Sequence, residues 1–175
     1  MIAGYSSRPV FQYQFRPLMP DSRAADGGFC VILYENRILS FSTYGANGDF
    51  LDELCFTMPA RVLDCFFSLL RNAGSWLGAS PVDLRGEAMT PYASSFAFDG
   101  YDPIRIWGIN DLLCEPTGSE SGFFARHIYV LFEDVANLFA EQGIRLSLDG
   151  FTWDVQRVRP FRKHQLYHSA RQGVV

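Results

Sequence analysis

The sequence predicts an α+β fold in which a mostly antiparallel sheet of about eight strands packs against two amphipathic helices, at about 58–72 and 123–142. Three observations lead to this prediction. Segments that alternate between apolar and polar residues are joined by short turns, as antiparallel strands are. Two longer segments carry apolar residues at helical spacing. Hydrophobic residues make up 48% of the chain and charged residues 19%, which is typical of a folded domain.

The first half of the chain predicts four consecutive strands. In the first of them Phe11, Tyr13 and Phe15 take one face and the polar residues between them take the other, which is the pattern of a half-buried strand. The second is apolar on both faces and predicts an interior strand. A tight turn at Glu35-Asn36 follows it. These strands are predicted at residues 10–16, 29–34, 37–44 and 50–56.

Two segments have helical periodicity. Thr57 can cap the free amides at the start of the first helix, Pro59 suits its first turn, and Gly74 gives a stop signal. The second segment, 123–142, has the clearer apolar stripe of the two. A partly closed β-barrel around this second helix is the alternative to the layered arrangement.

The second half of the chain predicts the remaining strands. A connector at 74–91 is rich in Gly, Ser and Pro, and residues 110–121 are predicted to be irregular. Asp149-Gly150 between two alternating segments is a strong hairpin signal. These strands are predicted at residues 92–98, 104–109, 144–148 and 151–155.

Charge divides the chain into two parts. The ten arginines and nineteen acidic residues of 1–154 give −9, and the five cations after Asp154 give +5, which together make the formal charge of −4. We therefore predict one α+β domain at 1–156 and a basic C-terminal tail at 157–175. The tail is expected to bind a negative protein surface, which is either the acidic domain of the same chain, a protein partner or a second copy. Its predicted binding residues are Arg157, Arg159, Arg162, Lys163, His164, His168 and Arg171.

These features predict a non-catalytic protein-binding or interaction module of a soluble bacterial-type protein, which binds a protein partner or a second copy through the tail. One alternative is a small enzyme in which His127 acts as general base with a carboxylate from Asp99, Asp102 or Asp111. A second alternative is nucleic-acid binding through the tail. The acidic domain disfavours it, because that domain would repel a phosphate backbone.

Known site motifs are missing from the sequence. It contains no dinucleotide-binding, P-loop, nucleophile-elbow or zincin motif, so no cofactor and no metal is predicted. The cysteine spacings fit no zinc pattern, and Cys30, Cys55 and Cys65 are predicted to be buried thiols without disulfides. Neither a signal peptide nor a membrane-spanning apolar segment is evident, which predicts a cytoplasmic protein.

Overall fold

A mixed seven-stranded sheet organises the structure, a computed structural model that describes residues 7–17, 27–86, 92–146 and 154–155. The strand order is β4-β3-β2-β1-β6-β7-β5, antiparallel throughout except for the pairing of β5 with β7. The sheet stays open, with β4 and β5 at its edges. The α+β prediction is therefore confirmed and the barrel alternative is wrong. The elements are β1 (Pro9–Pro17), β2 (Gly28–Tyr34), β3 (Ile38–Tyr44), β4 (Phe50–Thr57), α1 (Ala60–Leu77), β5 (Asp83–Arg85), β6 (Tyr92–Phe98), β7 (Ile104–Trp107), α2 (Ile109–Cys114), α3 (Glu120–Ala140), β8 (Ile144–Arg145) and β9 (Asp154–Val155).

One face of the sheet packs against the helices through large aromatic rings. The ring of Phe11 lies 5.9 Å from that of Phe66 in α1 and 5.9 Å from that of Phe139 in α3, measured between centroids. Tyr13 lies 4.7 Å from Phe132 in α3. Phe11 and Tyr13 project from the same side of β1, as their alternation predicts, so both long helices cover the same face.

Helix α1 begins later and ends later than predicted. Thr57 belongs to β4, and Pro59 occupies the N-cap position without a side-chain cap. Gly74 lies inside the helix, which continues to Leu77. Leu77 is buried in the core, and that packing outweighs the roughly 1 kcal/mol that an interior glycine costs. A Cβ on Gly74 would lie 2.9 Å from the hydroxyl of Tyr101, so the glycine permits close packing rather than ending the helix.

Helix α3 agrees with its prediction to within a few residues. Ser119 caps its N-terminus by accepting a hydrogen bond from the backbone N–H of Gly122 at 3.1 Å. Two short elements were not predicted. The connector at 74–91 contains strand β5, and the segment at 110–121 contains most of helix α2. Three residues of β5 form a strand because they pair with β7, and a pairing of that kind leaves no local pattern in the sequence.

Strands β8 and β9 confirm the pairing predicted for the last hairpin. Ile144 lies opposite Val155, and Arg145 lies opposite Asp154. The turn at Asp149-Gly150 lies outside the described residues, as does the basic tail at 157–175.

All four cysteines are free thiols, as predicted. Cys30 and Cys55 are buried, but the prediction for Cys65 was wrong, because this residue lies on the solvent side of α1. Among the helices described, none has the length and apolar character needed to cross a membrane.

Candidate functional site

The face of the sheet opposite the helices carries small and polar residues in ordered rows. The strand register sets Gln14 of β1 beside Cys30 of β2, Cys30 beside Ser42 of β3, and Ser42 beside Glu53 of β4. Ser95 of β6 lies on the other side of Gln14. One polar row therefore crosses five strands, and its members come from distant parts of the sequence.

A cleft of about 250 Å³ lies at one end of this face, where β1 ends and β2 begins. Gln14, Arg16 and Tyr44 supply its polar side chains. Pockets that hold drug-sized ligands measure about 300–1,000 Å³, so this cleft suits one or two side chains of a larger ligand. The other lining residues are Phe15, Gly27, Gly28, Gly45, Ala46 and Gly48.

Backbone forms much of the cleft wall because the chain packs closely there. A Cβ on Gly27 would lie 1.9 Å from the carbonyl oxygen of Gly45, so no other residue fits at Gly27 without movement of the backbone. The turn between β3 and β4 is closed by the Gly48 N–H, which donates to Gly45 O at 2.8 Å, and Gly48 has a φ of +81°. Without side chains on this wall, a ligand can approach the backbone closely.

Arg16 is held in a defined orientation beside the cleft. With the amide oxygen of Gln14 facing Arg16, that oxygen accepts hydrogen bonds from Nε and Nη2 of Arg16, both at 2.9 Å. Two bonds to one edge of the guanidinium fix its plane and leave other N–H groups for a second acceptor. None of the ion pairs within the described residues includes Arg16. Among the described residues, no carboxylate therefore neutralises its positive charge.

Tyr44 and Cys30 are neutral neighbours of this guanidinium. Burial raises the pKa of the Tyr44 hydroxyl, an effect that Cys30 and Glu53 reinforce and that Ser42 and Arg16 reduce. Burial also raises the pKa of the Cys30 thiol to about 11, although Arg16 lowers it. At neutral pH the hydroxyl can donate a hydrogen bond, and the thiol is not an activated nucleophile.

Two exposed apolar residues lie at the mouth of the cleft. Phe50 is 60% exposed, and its ring meets that of Tyr44 edge-on at 6.1 Å between centroids. Leu51 is 59% exposed, and its Cδ2 lies 3.7 Å from the position of a Cβ built on Gly45. Both belong to the edge strand β4. We call Gln14, Arg16, Tyr44, Phe50 and Leu51 together the Arg16 cleft.

His127, the predicted general base, lies half-buried on α3. Its Nδ1–H donates to the carbonyl oxygen of Phe123 at 2.8 Å. Its ring centroid lies 4.0 Å from that of Phe123 and 5.4 Å from that of Trp76 in α1. Within the described part of the chain, no hydrogen bond joins His127 to a carboxylate.

The three predicted carboxylate partners have other surroundings. Asp99 binds Arg8 through both oxygens, at 2.9 and 3.1 Å, and with Tyr101 it lines a groove of about 430 Å³ beside α1. Asp102 is exposed in the turn between β6 and β7. Asp111 lies in the first turn of α2, where its Oδ2 is buried and has no partner among the described residues. The enzyme hypothesis stays a prediction, to which these contacts add no support.

The binding residues predicted in the tail lie outside the described residues, so that interpretation also stays a prediction. They are Arg157, Arg159, Arg162, Lys163, His164, His168 and Arg171. No pattern in the sequence predicted the Arg16 cleft. The alternation of β1 already placed Gln14 and Arg16 on its polar face, but only the register shows that Tyr44 adjoins them.

Within residues 7–17, 27–86, 92–146 and 154–155, no group of three or more His, Cys, Asp or Glu side chains is placed to hold a metal ion. Comparison of the sequence with protein-family models and with curated proteins finds no match.

Proposed function

We propose that this chain is a non-catalytic protein-binding module, and that its partner inserts an acidic side chain into the Arg16 cleft. One observation carries the proposal. A guanidinium oriented by Gln14, and not neutralised by a described carboxylate, meets two exposed apolar side chains at a single small cleft. The partner segment that fits it is a short peptide in which Asp or Glu lies next to a large apolar residue.

The polar part of the cleft favours a carboxylate. A planar guanidinium binds a carboxylate through two parallel hydrogen bonds, which gives both strength and direction. The protonated Tyr44 hydroxyl provides a further donor. Hydrogen bonds to charged groups contribute about 1.5–3 kcal/mol each. Arg16 therefore supplies the specificity of the site.

The apolar part favours a peptide over a small anion. Phe50 and Leu51 form the exposed rim of the Arg16 cleft and do not line its 250 Å³ interior, so only a ligand that extends beyond that interior reaches them. Fully burying a side chain of this type contributes about 1.5–3 kcal/mol. Arginine and aromatic residues are also enriched among the side chains that dominate the binding energy of protein interfaces.

A peptide array tests the proposal. Each peptide carries one Asp or Glu beside Leu or Phe, and a matched peptide carries Asn or Gln in place of the acid. We expect the full chain to bind acidic peptides at least about tenfold more tightly than their amide counterparts, since tenfold corresponds to about 1.4 kcal/mol. Fluorescence polarisation with selected peptides gives the dissociation constants.

Matched variants locate the binding on the surface. Arg16→Gln and Phe50→Ser should each weaken binding about tenfold or more, which is the loss expected of one charge-assisted contact or one buried ring. Arg71→Gln and Phe123→Ser remove an exposed arginine and an exposed phenylalanine elsewhere and should leave binding unchanged. Equal affinity for acidic and amide peptides, or full binding by a folded Arg16→Gln variant, would refute the proposal.

A further inference from the structure

Helix α3 has a second stripe of side chains on the side that faces away from the sheet. Phe123, His127 and Val130 follow one another at spacings of four and three residues, so they share one face. Phe123 is 42% exposed and Val130 is 57% exposed. Trp76 of α1 lies beside them against the ring of His127. This half of the stripe is an apolar surface that the core does not use.

The same stripe becomes acidic toward the C-terminal end of α3. Asp134, Asn137 and Glu141 continue it at helical spacing, and all three are exposed. Glu133 is exposed next to Asp134. The last turn of α3 contains no basic residue, so the negative end of the helix dipole adds to these carboxylates. We call Phe123, His127, Val130, Asp134, Asn137 and Glu141 the α3 outer strip.

The described chain ends beside the acidic half of this strip. Strand β8 follows α3 after a turn at 141–143, and β9 pairs with β8 so that Val155 lies opposite Ile144. Paired strands are about 4.7–4.9 Å apart, so Val155, the last described residue, lies close to the C-terminal end of α3. Residues 156–175 carry five cations and no carboxylate side chain.

We propose that the basic segment 157–175 of this same chain docks along the α3 outer strip. Its first cations, from Arg157 to Lys163, lie against the acidic half of the strip, and Tyr167 reaches the apolar half. The proposal does not depend on the Arg16 cleft, which involves other elements.

The segment is long enough for this course. From Glu141 to Phe123 the strip runs for about 27 Å, given the 1.5 Å rise per residue of a helix. An extended chain from Val155 to Tyr167 spans roughly 40 Å. Tyr167 can therefore reach Phe123 with slack remaining.

Tethering makes such a contact favourable although each ion pair is weak. Exposed ion pairs are screened by water and salt, so a single pair contributes little binding free energy. A flexible connection gives the segment an effective concentration on the order of millimolar, so several weak pairs and an aromatic contact act together. Because the contact is largely electrostatic, salt should release it.

The native thiol of Cys65 provides a probe for this contact. The ion pair of Arg61 with Glu141 and the ring contact of Trp76 with His127 show that α1 and α3 run antiparallel. Cys65 lies one turn after Arg61 on the exposed side of α1, and therefore beside the acidic half of the strip. In the full chain with Cys114→Ser, a nitroxide on Cys65 should broaden the backbone amide signals of residues 157–163 in NMR spectra.

Charge reversal then tests the contact itself. Asp134→Lys should reduce the broadening of these amides at least twofold, as should about 1 M salt, at which the screening length is about 3 Å. The matched variant Asp102→Lys makes the same charge change in the exposed turn between β6 and β7, which is not part of the α3 outer strip, and should leave the broadening unchanged. An equal response to Asp134→Lys and Asp102→Lys would overturn the proposal.

A mixed sample distinguishes docking within one chain from docking between two. Isotope-labelled chains without nitroxide are mixed with unlabelled chains that carry it. If residues 157–163 are broadened in this mixture as strongly as in the chain that carries both the isotope label and the nitroxide, the segment docks on a second copy. That result would overturn the proposal. Absence of broadening at residues 157–163 in the spin-labelled chain, with the core amide spectrum unchanged, also overturns it.

Discussion

On its helix-covered face the sheet presents interlocking aromatic rings, whereas on its other face it presents rows of small and polar side chains. Phe11 is 1% exposed and contacts rings from both long helices. Ser40 and Cys55, at 2% and 1% exposed, are buried to a similar degree on the other face. A small side chain removes little apolar area from water when it is buried, so equal burial does not mean equal stabilisation. The covered face should therefore dominate stability, and the small and polar side chains of the other face should contribute less.

The largest expected effect on the free energy of unfolding comes from comparing two neighbouring residues of β1. Phe11→Ala should lower the free energy of unfolding by about 3–5 kcal/mol, because it removes a fully buried ring and leaves a cavity. Gln12→Ala, on the other face, should lower it by less than about 1 kcal/mol. Urea unfolding of both variants measures the difference. Similar losses for the two would mean that both faces stabilise the sheet equally.

An effect of intermediate size on the free energy of unfolding should come from the Cys30 thiol, and it should depend on pH. Burial raises its pKa from 9.0 to about 11, so the folded state holds the proton more tightly than the unfolded state. The corresponding stability is fully present below pH 9 and is lost as the pH rises to about 11. Between those values the wild-type chain should lose roughly 2–3 kcal/mol more than Cys30→Ala does.

Urea unfolding at several pH values between 8 and 11 measures this loss. Tyr44 also has a raised pKa and titrates in the same alkaline range, so the comparison with Cys30→Ala, which keeps Tyr44, isolates the thiol. Parallel curves for wild type and variant would show that the thiol is solvated in the folded chain.

The smallest effect expected concerns a single hydrogen bond on the polar face. The Ser40 hydroxyl donates to Oε1 of Glu53 on the neighbouring strand. Ser40→Ala should lower the free energy of unfolding by about 1–2 kcal/mol, since it takes one donor from a partly buried carboxylate. Ser95→Ala, at a half-buried position of the same face, is the control and should change it by about 0.5 kcal/mol or less. Equal effects of the two would show that the Ser40 bond adds nothing to stability.

Local patterns predicted the elements that carry their own periodicity. The alternation around Phe11 and Tyr13 gave β1 and its buried face, and the apolar stripe of 123–142 gave α3. Elements that depend on neighbours were missed, as β5 was, because a three-residue strand forms only where a partner pairs with it. The predicted end of α1 at Gly74 was wrong for the same reason. The packing of Leu77 in the core extends α1 past a residue that would end an isolated helix.

The candidate site also combines features that the sequence predicts with features that depend on tertiary contacts. From the sequence alone, Gln14 and Arg16 belong to the polar face of β1, and the acidic charge of residues 1–154 differs from the basic charge of the residues after Asp154. Only the tertiary structure decided that Tyr44, Phe50 and the backbone of Gly27 come together beside Arg16. Alternation is a property of one strand, set by backbone geometry at each residue. The neighbours of a strand depend on hydrogen bonds and packing between residues far apart in the chain, and no local pattern encodes them.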